Sequence, residues 1–202
     1  LLRGTSFIPD SDYKGNVLHT LIEGGCGLLG AHTNADAAVA GVNEALCEAL
    51  NLQGCEPLTD QQQQELVGEE YSVGTGRVGV LARPLTLQEL SEELAAALPA
   101  TAGGLRVAGS PQKLIRRVAL CGGAGSFLLE DAIAAGADAF ITGEMHYHEY
   151  FGHEQQTQIA VIGHFQSEQF TNEIFKSIIE ETCGDKVTCY LTKTNTNPII
   201  YL

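Results

Sequence analysis

Apolar residues fall into short continuous runs that alternate with stretches of helical spacing. Ile115 to Cys121, Asp138 to Thr142 and Ile159 to Ile162 have strand length, and a glycine follows each. Cys26 to Ala31 and Leu105 to Ala108 read as shorter strands. Thr188 to Leu191 and Ile199 to Leu202 read as strands around Lys193 to Pro198, and Tyr71 to Leu81 as a strand or hairpin. Helical spacing governs four segments. Lys14 to Glu23 presents Val17, Leu18, Leu21 and Ile22 and ends at Gly24-Gly25. A helix from about Ala37 to Leu50 carries Val39, Val42, Leu46 and Leu50. After Thr86 come Leu87, Leu90, Leu94 and Leu98, with Glu89 at capping-box spacing from Thr86. Beyond Glu168, the residues Phe170, Ile174, Ile178 and Ile179 share one helical face. This βα alternation implies a mostly parallel sheet covered on both faces, with chemistry at the C-terminal ends of its strands.

Four polar turns occupy those ends: 32–36, 122–126, 143–149 and 163–168. In the last, His164 and Glu168 stand four residues apart, on one face once the turn is helical. An imidazole and a carboxylate aimed together suit a metal; alternatively Glu168 serves the helix N-terminus and His164 bonds a carbonyl. Asp36 follows a strand in the same way, with helix N-cap as its plain alternative, a position Asn34 also fits. Gly122-Gly123-Ala124-Gly125-Ser126 suits an anion or simply close helix packing, and matches neither the dinucleotide fingerprint nor the P-loop. His146-Tyr147-His148 has His-x-His spacing but lies beyond a strand's end.

Composition narrows the partners. The 202 residues suffice for one large domain or two small α/β lobes. Net charge is -14, from 25 acidic and 11 basic residues, which argues against nucleic acid or an anionic membrane as partner. Six cysteines without a C-x-x-C pair indicate free thiols in a reducing, cytoplasmic setting. No apolar stretch has membrane-spanning length. Gly54 to about Pro84 is the expected lobe boundary, its glutamine run a helical turn or a solvated connection. The chain starts at Leu1 and its only methionine is Met145, so it is expected to lack its true N-terminus.

Taken together, Ala31-His32-Thr33-Asn34-Ala35-Asp36, Gly41-Val42-Asn43, Gly122-Gly123-Ala124-Gly125, Gly136 to Glu144, Tyr147-His148, Gly163 to Glu168 and Asn195-Thr196-Asn197-Pro198 make the sequence resemble one family. It is similar to the Nif-three-like dinuclear-metal hexameric proteins, often named GTP cyclohydrolase 1 type 2 homologues. The resemblance implies two intertwined three-layer α/β/α lobes with mostly parallel or mixed sheets and a metal cleft between them. Residues 1–64 would be the remainder of the first lobe and 65–202 the second, with the last strand able to return to the first. It implies two divalent ions (Zn, Fe, Mn or Mg), with Asp36 as bridging carboxylate and His164 and Glu168 as ligands from the second lobe. Glu144 and His148 match positions near the cleft and become candidate proton carriers. The family's His-His-Pro segment is missing, which leaves three ligands of five. The expectation is therefore weak metal binding, little turnover and poor hexamer assembly for these 202 residues. Two functions remain. One is a metal-dependent hydrolase of the GTP cyclohydrolase 1 type 2 kind, opening a nucleotide ring with formate release or acting on another small phosphorylated substrate. The other is a non-catalytic metal-binding hexamer that scaffolds or regulates. Arg116 and Arg117 are the clustered cations near a site turn, a thin supply for a phosphorylated substrate.

Overall fold

Three apolar runs too hydrophobic to leave in water become the centre of one sheet. A computed structural model describes residues 7–59, 62–66, 69–98, 105–153 and 155–200. The strands are β1 (Gln53–Pro57), β2 (Gln62–Leu66), β3 (Glu69–Val73), β4 (Arg77–Thr86), β5 (Arg106–Ala108), β6 (Leu114–Cys121), β7 (Ala139–Thr142) and β8 (Gln158–Val161). The helices are α1 (Tyr13–Glu23), α2 (Thr33–Ala37), α3 (Val42–Ala49), α4 (Leu87–Ala97), α5 (Leu129–Ala134), α6 (His164–Ser167) and α7 (Thr171–Cys183). Six strands form a mixed sheet ordered β1-β4-β6-β7-β8-β5. β6, β7 and β8 run parallel, while β1 on β4, β4 on β6 and β5 on β8 pair antiparallel. Parallelism is thus confined to the three central strands, whose connections carry α5 and a 3-10 turn. β2 and β3 form a separate antiparallel pair, so Gln62 to Gln64 lie in a strand rather than a helical turn, while Gln61 lies outside the described residues.

The period-2 alternation of the sheet separates two apolar clusters, one on each face. Leu46, Leu85, Leu90, Leu94, Val118, Leu120 and Ile141 pack beneath α3 and α4. Ala119, Cys121, Leu129, Ala132, Phe140 and Val161 pack beneath α5 on the other face. The result is a three-layer α/β arrangement. Thr86 caps α4 as its spacing predicts: Glu89 N–H donates to the Thr86 hydroxyl at 3.1 Å, and Thr86 N–H donates to the Glu89 carboxylate at 2.7 Å.

Three sequence expectations are corrected. The helix expected from Ala37 to Leu50 is two helices, α2 and α3, broken where Ala40 takes a left-handed φ of 53°. Glu44 holds that break by accepting from the Ala40 N–H at 2.6 Å. Cys26 to Ala31 forms no strand and is exposed, and among the described residues no segment pairs with it. Thr188 to Leu191 and Ile199-Ile200 likewise have no strand partner among the described residues, and Tyr201 and Leu202 lie outside them. The chain divides into two compact units, Leu1–His32 and Thr33–Leu202. The first holds α1, with Asp12 as its side-chain cap. The second holds the sheet and every residue of the candidate site. The six cysteines are free thiols, Cys47 and Cys121 buried and Cys26 exposed. No helix among the described residues is long and apolar enough to cross a membrane.

Candidate metal centre

At the C-terminal ends of β6, β7 and β8 the chain turns three times through glycine, and these turns stack on one another. The Glu144 N–H donates to the Gly123 carbonyl at 2.9 Å, and the Gly163 N–H to the Gly143 carbonyl at 3.1 Å. Thr142, fully buried, ties the first two turns: its hydroxyl accepts from the Gly125 N–H at 3.1 Å. Gly143 has no room for a side chain, since a Cβ there would meet the Gly123 carbonyl oxygen at 2.6 Å and the Ser167 hydroxyl at 2.7 Å.

His164 opens α6, and its ring is held from both sides. Nδ1 lies 3.0 Å from Glu144 Oε1, and Nε2 lies 3.3 Å from Glu168 Oε1. Glu168 ends the same helical turn, so the i, i+4 spacing delivers the pairing expected of it. A neutral imidazole has one proton for two carboxylates. If Nδ1–H goes to Glu144, the Nε2 lone pair faces the Glu168 oxygen, an arrangement that a cation between them satisfies. Gly123, at φ +61°, forms the floor: a Cβ there would lie 2.5 Å from Glu168 Oε1 and 3.4 Å from His164 Nε2.

Two buried polar side chains, which sequence reading did not single out as functional, register these pieces. The Ser167 hydroxyl accepts from the Gly123 N–H at 2.8 Å and donates to the His164 carbonyl at 2.7 Å. Asn43 Oδ1 accepts from the Gly122 N–H at 2.8 Å, while its amide donates to the Asp36 carbonyl at 3.0 Å. Residues 36 and 164 are thereby stapled to successive glycines of one turn. Their signal was a lone small polar residue in a short helical stretch, Asn43 in the first turn of α3 and Ser167 at the end of α6, which is too common to be read alone. Arg77, 1% exposed, fixes the end of α2 by donating to the Ala37 and Ala38 carbonyls at 3.2 Å each and pairing with Glu44.

Asp36 lies half-buried in α2. Its carboxylate and that of Glu168 both act on the Cys121 thiol: burial first, then Asp36, then Glu168 push its pKa up to about 11. Glu144 is exposed on the turn after β7. His148 is exposed in the 3-10 turn Tyr147–Tyr150, its ring set edge-on to Tyr147 at 5.6 Å, and no described hydrogen bond or ion pair joins it to His164. His146 precedes that turn, where its N–H donates to Glu149 at 2.6 Å. Among the described residues, no group of three or more His, Cys, Asp and Glu side chains is placed to hold a metal ion. Arg117 is engaged elsewhere, donating to the Ala135 carbonyl and pairing with Glu56. It sits four residues before the end of β6, on the order of 13 Å from the glycine turn. A cleft of about 510 Å³ opens at His164 and Glu168, walled by α6, the start of α7 and the loop from Thr194 to Ile199.

Comparison with known proteins agrees with this architecture. The sequence profile of the family described as Duf34/NIF3 (NGG1p interacting factor 3) matches residues 1–198. A Streptomyces coelicolor protein named GTP cyclohydrolase 1 type 2 homolog is 38% identical over 202 residues, covering 98% of this chain and 70% of that protein. A Mycobacterium tuberculosis protein of the same name is 42% identical over 105 residues, covering 51% of this chain and only 28% of the relative. The crystal structure of a Bacillus cereus protein related to NIF3 superposes with a TM-score of 0.84 at 20% identity, covering 99% of this chain and 80% of that one.

Proposed function

The chain belongs to the Duf34/NIF3 family, and from that premise we propose that His164 and Glu168 hold a divalent cation in a metal-dependent hydrolase. The observation that carries this is the 3.3 Å separation of His164 Nε2 and Glu168 Oε1 above a glycine. Two donors each about 2.0–2.2 Å from one cation, at ordinary coordination angles, stand about 3.0–3.4 Å apart. Asp36 is the third protein ligand of this proposal: its carboxylate shares with Glu168 a field at Cys121. Because the three side chains do not form a ready metal-holding group, Asp36 would have to close on the cation when one binds. Imidazole with carboxylates suits Zn, Fe or Mn, and a carboxylate-rich second position suits Mg as well. Two such ions are the proposal for the whole protein.

A divalent ion held there supplies Lewis acidity, which polarises an electrophile and a water. The chain's own groups do the rest. Glu144 orients the imidazole through Nδ1 and directs Nε2 at Glu168, the carboxylate–histidine arrangement that fixes tautomer and raises ligand basicity. The exposed Glu144 carboxylate and the exposed His148 ring are our proton carriers. The name of the Streptomyces relative, GTP cyclohydrolase 1 type 2 homolog, motivates a nucleotide or another small phosphorylated compound as substrate; a homo-hexamer is the assembly we propose. The scarcity of cations favours a second reading, a non-catalytic metal-binding scaffold: Arg117, one of the two arginines nearest the site in sequence, is committed to Ala135 and Glu56.

Zinc retention after gel filtration tests the metal centre. His164→Ala and Asp36→Ala should each lower affinity at least about tenfold, while Glu149→Ala, whose carboxylate bonds His146 and Ser126, should not. Equal retention by all three variants would remove the proposal. Metal retained without GTP turnover would favour the scaffold.

A further inference from the structure

We propose that Cys55 is a hydroperoxide-reactive site and that Cys47 resolves it, closing a reversible disulfide between β1 and the end of α3. The pair lies outside the metal centre and stands whether or not His164 and Glu168 hold a cation. Redox-sensing cysteines are typically accessible thiols of lowered pKa with a resolving cysteine beside them.

The local fold delivers both thiols to one place. α3 ends in a Schellman motif: Asn51, at φ +52°, donates its N–H to the Glu48 carbonyl at 2.9 Å, and the Leu52 N–H reaches back to the Cys47 carbonyl at 3.0 Å. The chain therefore folds back onto the last turn of α3. Three residues on, the Cys55 thiol donates to the Leu52 carbonyl at 3.8 Å. Cys47 belongs to the apolar cluster beneath α3, and Cys55 packs against that cluster. The Cys55 sulfur rests over Gly79, where a Cβ would meet it at 2.8 Å. Eight positions apart in sequence, the two thiols come within hydrogen-bonding reach of each other.

Their surroundings assign the two roles. Cys47 is buried, whereas Cys55 is half-buried, within reach of a small oxidant. The hydrogen bond from Cys47, with the Arg77 guanidinium nearby, holds the Cys55 pKa below the usual thiol value against burial, Glu44 and Glu48. The same bond, and then burial, push Cys47 up. Cys55 is thus the nucleophile and Cys47 the second thiol. β1 permits the closure. An S–S bond is about 2.0 Å long, so one sulfur must move toward the other. Pairing along β1 slips between Gln53 and Glu56, and Gly54 in that stretch has φ +61°. Cys55 therefore stands where the ladder is interrupted and the backbone has room to adjust.

The chemistry takes two steps. The Cys55 thiolate attacks the outer oxygen of the hydroperoxide, the O–O bond breaks, and the alkoxide leaves with the proton that Cys55 gave up. Cys55 is then a sulfenic acid. The Cys47 sulfur attacks the Cys55 sulfur, an S–S bond replaces the S–O bond, and hydroxide leaves with the Cys47 proton as water. Two thiols and one hydroperoxide give one disulfide, one alcohol and one water, the peroxide taking both electrons.

The test treats the reduced 202-residue chain with hydrogen peroxide in the presence of a chelator, then alkylates the remaining thiols under denaturing conditions. Cleavage after Glu48 separates the two cysteines, so mass spectrometry sees the cross-linked peptide directly. Alkylatable Cys47 and Cys55 should fall together, several times faster than the exposed Cys26, and dithiothreitol should restore both. Cys55→Ala, at a half-buried position, should leave Cys47 fully alkylatable at the same dose. The proposal is overturned if Cys26 is consumed before Cys55, or if Cys55 is lost while Cys47 stays free. It is equally overturned if Cys47 is still oxidised in Cys55→Ala. The wild-type measurement decides the pairing without any variant.

Discussion

Gly123→Ala should abolish specific zinc binding while leaving the chain folded. The added methyl would stand 2.5 Å from Glu168 Oε1 and 3.4 Å from His164 Nε2. The first distance is far inside van der Waals contact, so the Glu168 carboxylate must swing away. The residue's φ of +61° adds a left-handed strain of about 1–2 kcal/mol, which a domain with two packed apolar faces tolerates. Displacing one carboxylate and crowding the imidazole should lower affinity on the order of 100-fold or more. Zinc titration beside a thermal melt separates the two effects. Wild-type affinity in the alanine variant would show that the floor of the turn does not shape the site.

Arg77→Met should destabilise the second unit by about 3–5 kcal/mol, the range for removing one partner of a buried charged network. The guanidinium is 1% exposed and donates to Gly74 and Gly76 at 2.8 and 2.9 Å, to Ala37 and Ala38, and to Glu44. Methionine replaces the volume but leaves four carbonyls and a carboxylate without this donor. Arg83 is the control: its side chain is 63% exposed on Glu89 and Glu93, and Arg83→Met should change stability by no more than about 1 kcal/mol. Urea unfolding of both variants reads the difference. A small effect at Arg77 would mean that α2 does not depend on it. Because Arg77 holds the residues just after Asp36, metal affinity should fall with stability.

The elements readable from sequence were those whose signal is local. The runs at Ile115, Asp138 and Ile159 are too apolar to be anything but buried. The Thr86–Glu89 box marks a helix start within four residues, and the His164–Glu168 offset pairs two side chains on one turn. What could not be read depends on distant partners. Nothing in Ala37-Ala38-Val39-Ala40 announces a helix break, since the break exists through Glu44 and through Arg77, which lies some forty positions on. Gln62 to Gln64 become a strand because residues 71–73 pair with them. Cys26 to Ala31 has the apolar character of a strand but pairs with no strand among the described residues. In the candidate site, His164, Glu168 and Glu144 meet as neighbouring turns dictate, whereas Asn43 and Ser167 draw their meaning from Gly122 and Gly123, more than forty residues away from each.

The most direct test is anomalous diffraction from crystals of the chain grown with zinc. The account predicts a peak within coordination distance of both His164 Nε2 and Glu168 Oε1, over Gly123, with Glu144 still on Nδ1. A peak elsewhere, or His164 and Glu168 unchanged with no zinc between them at saturating metal, would contradict it.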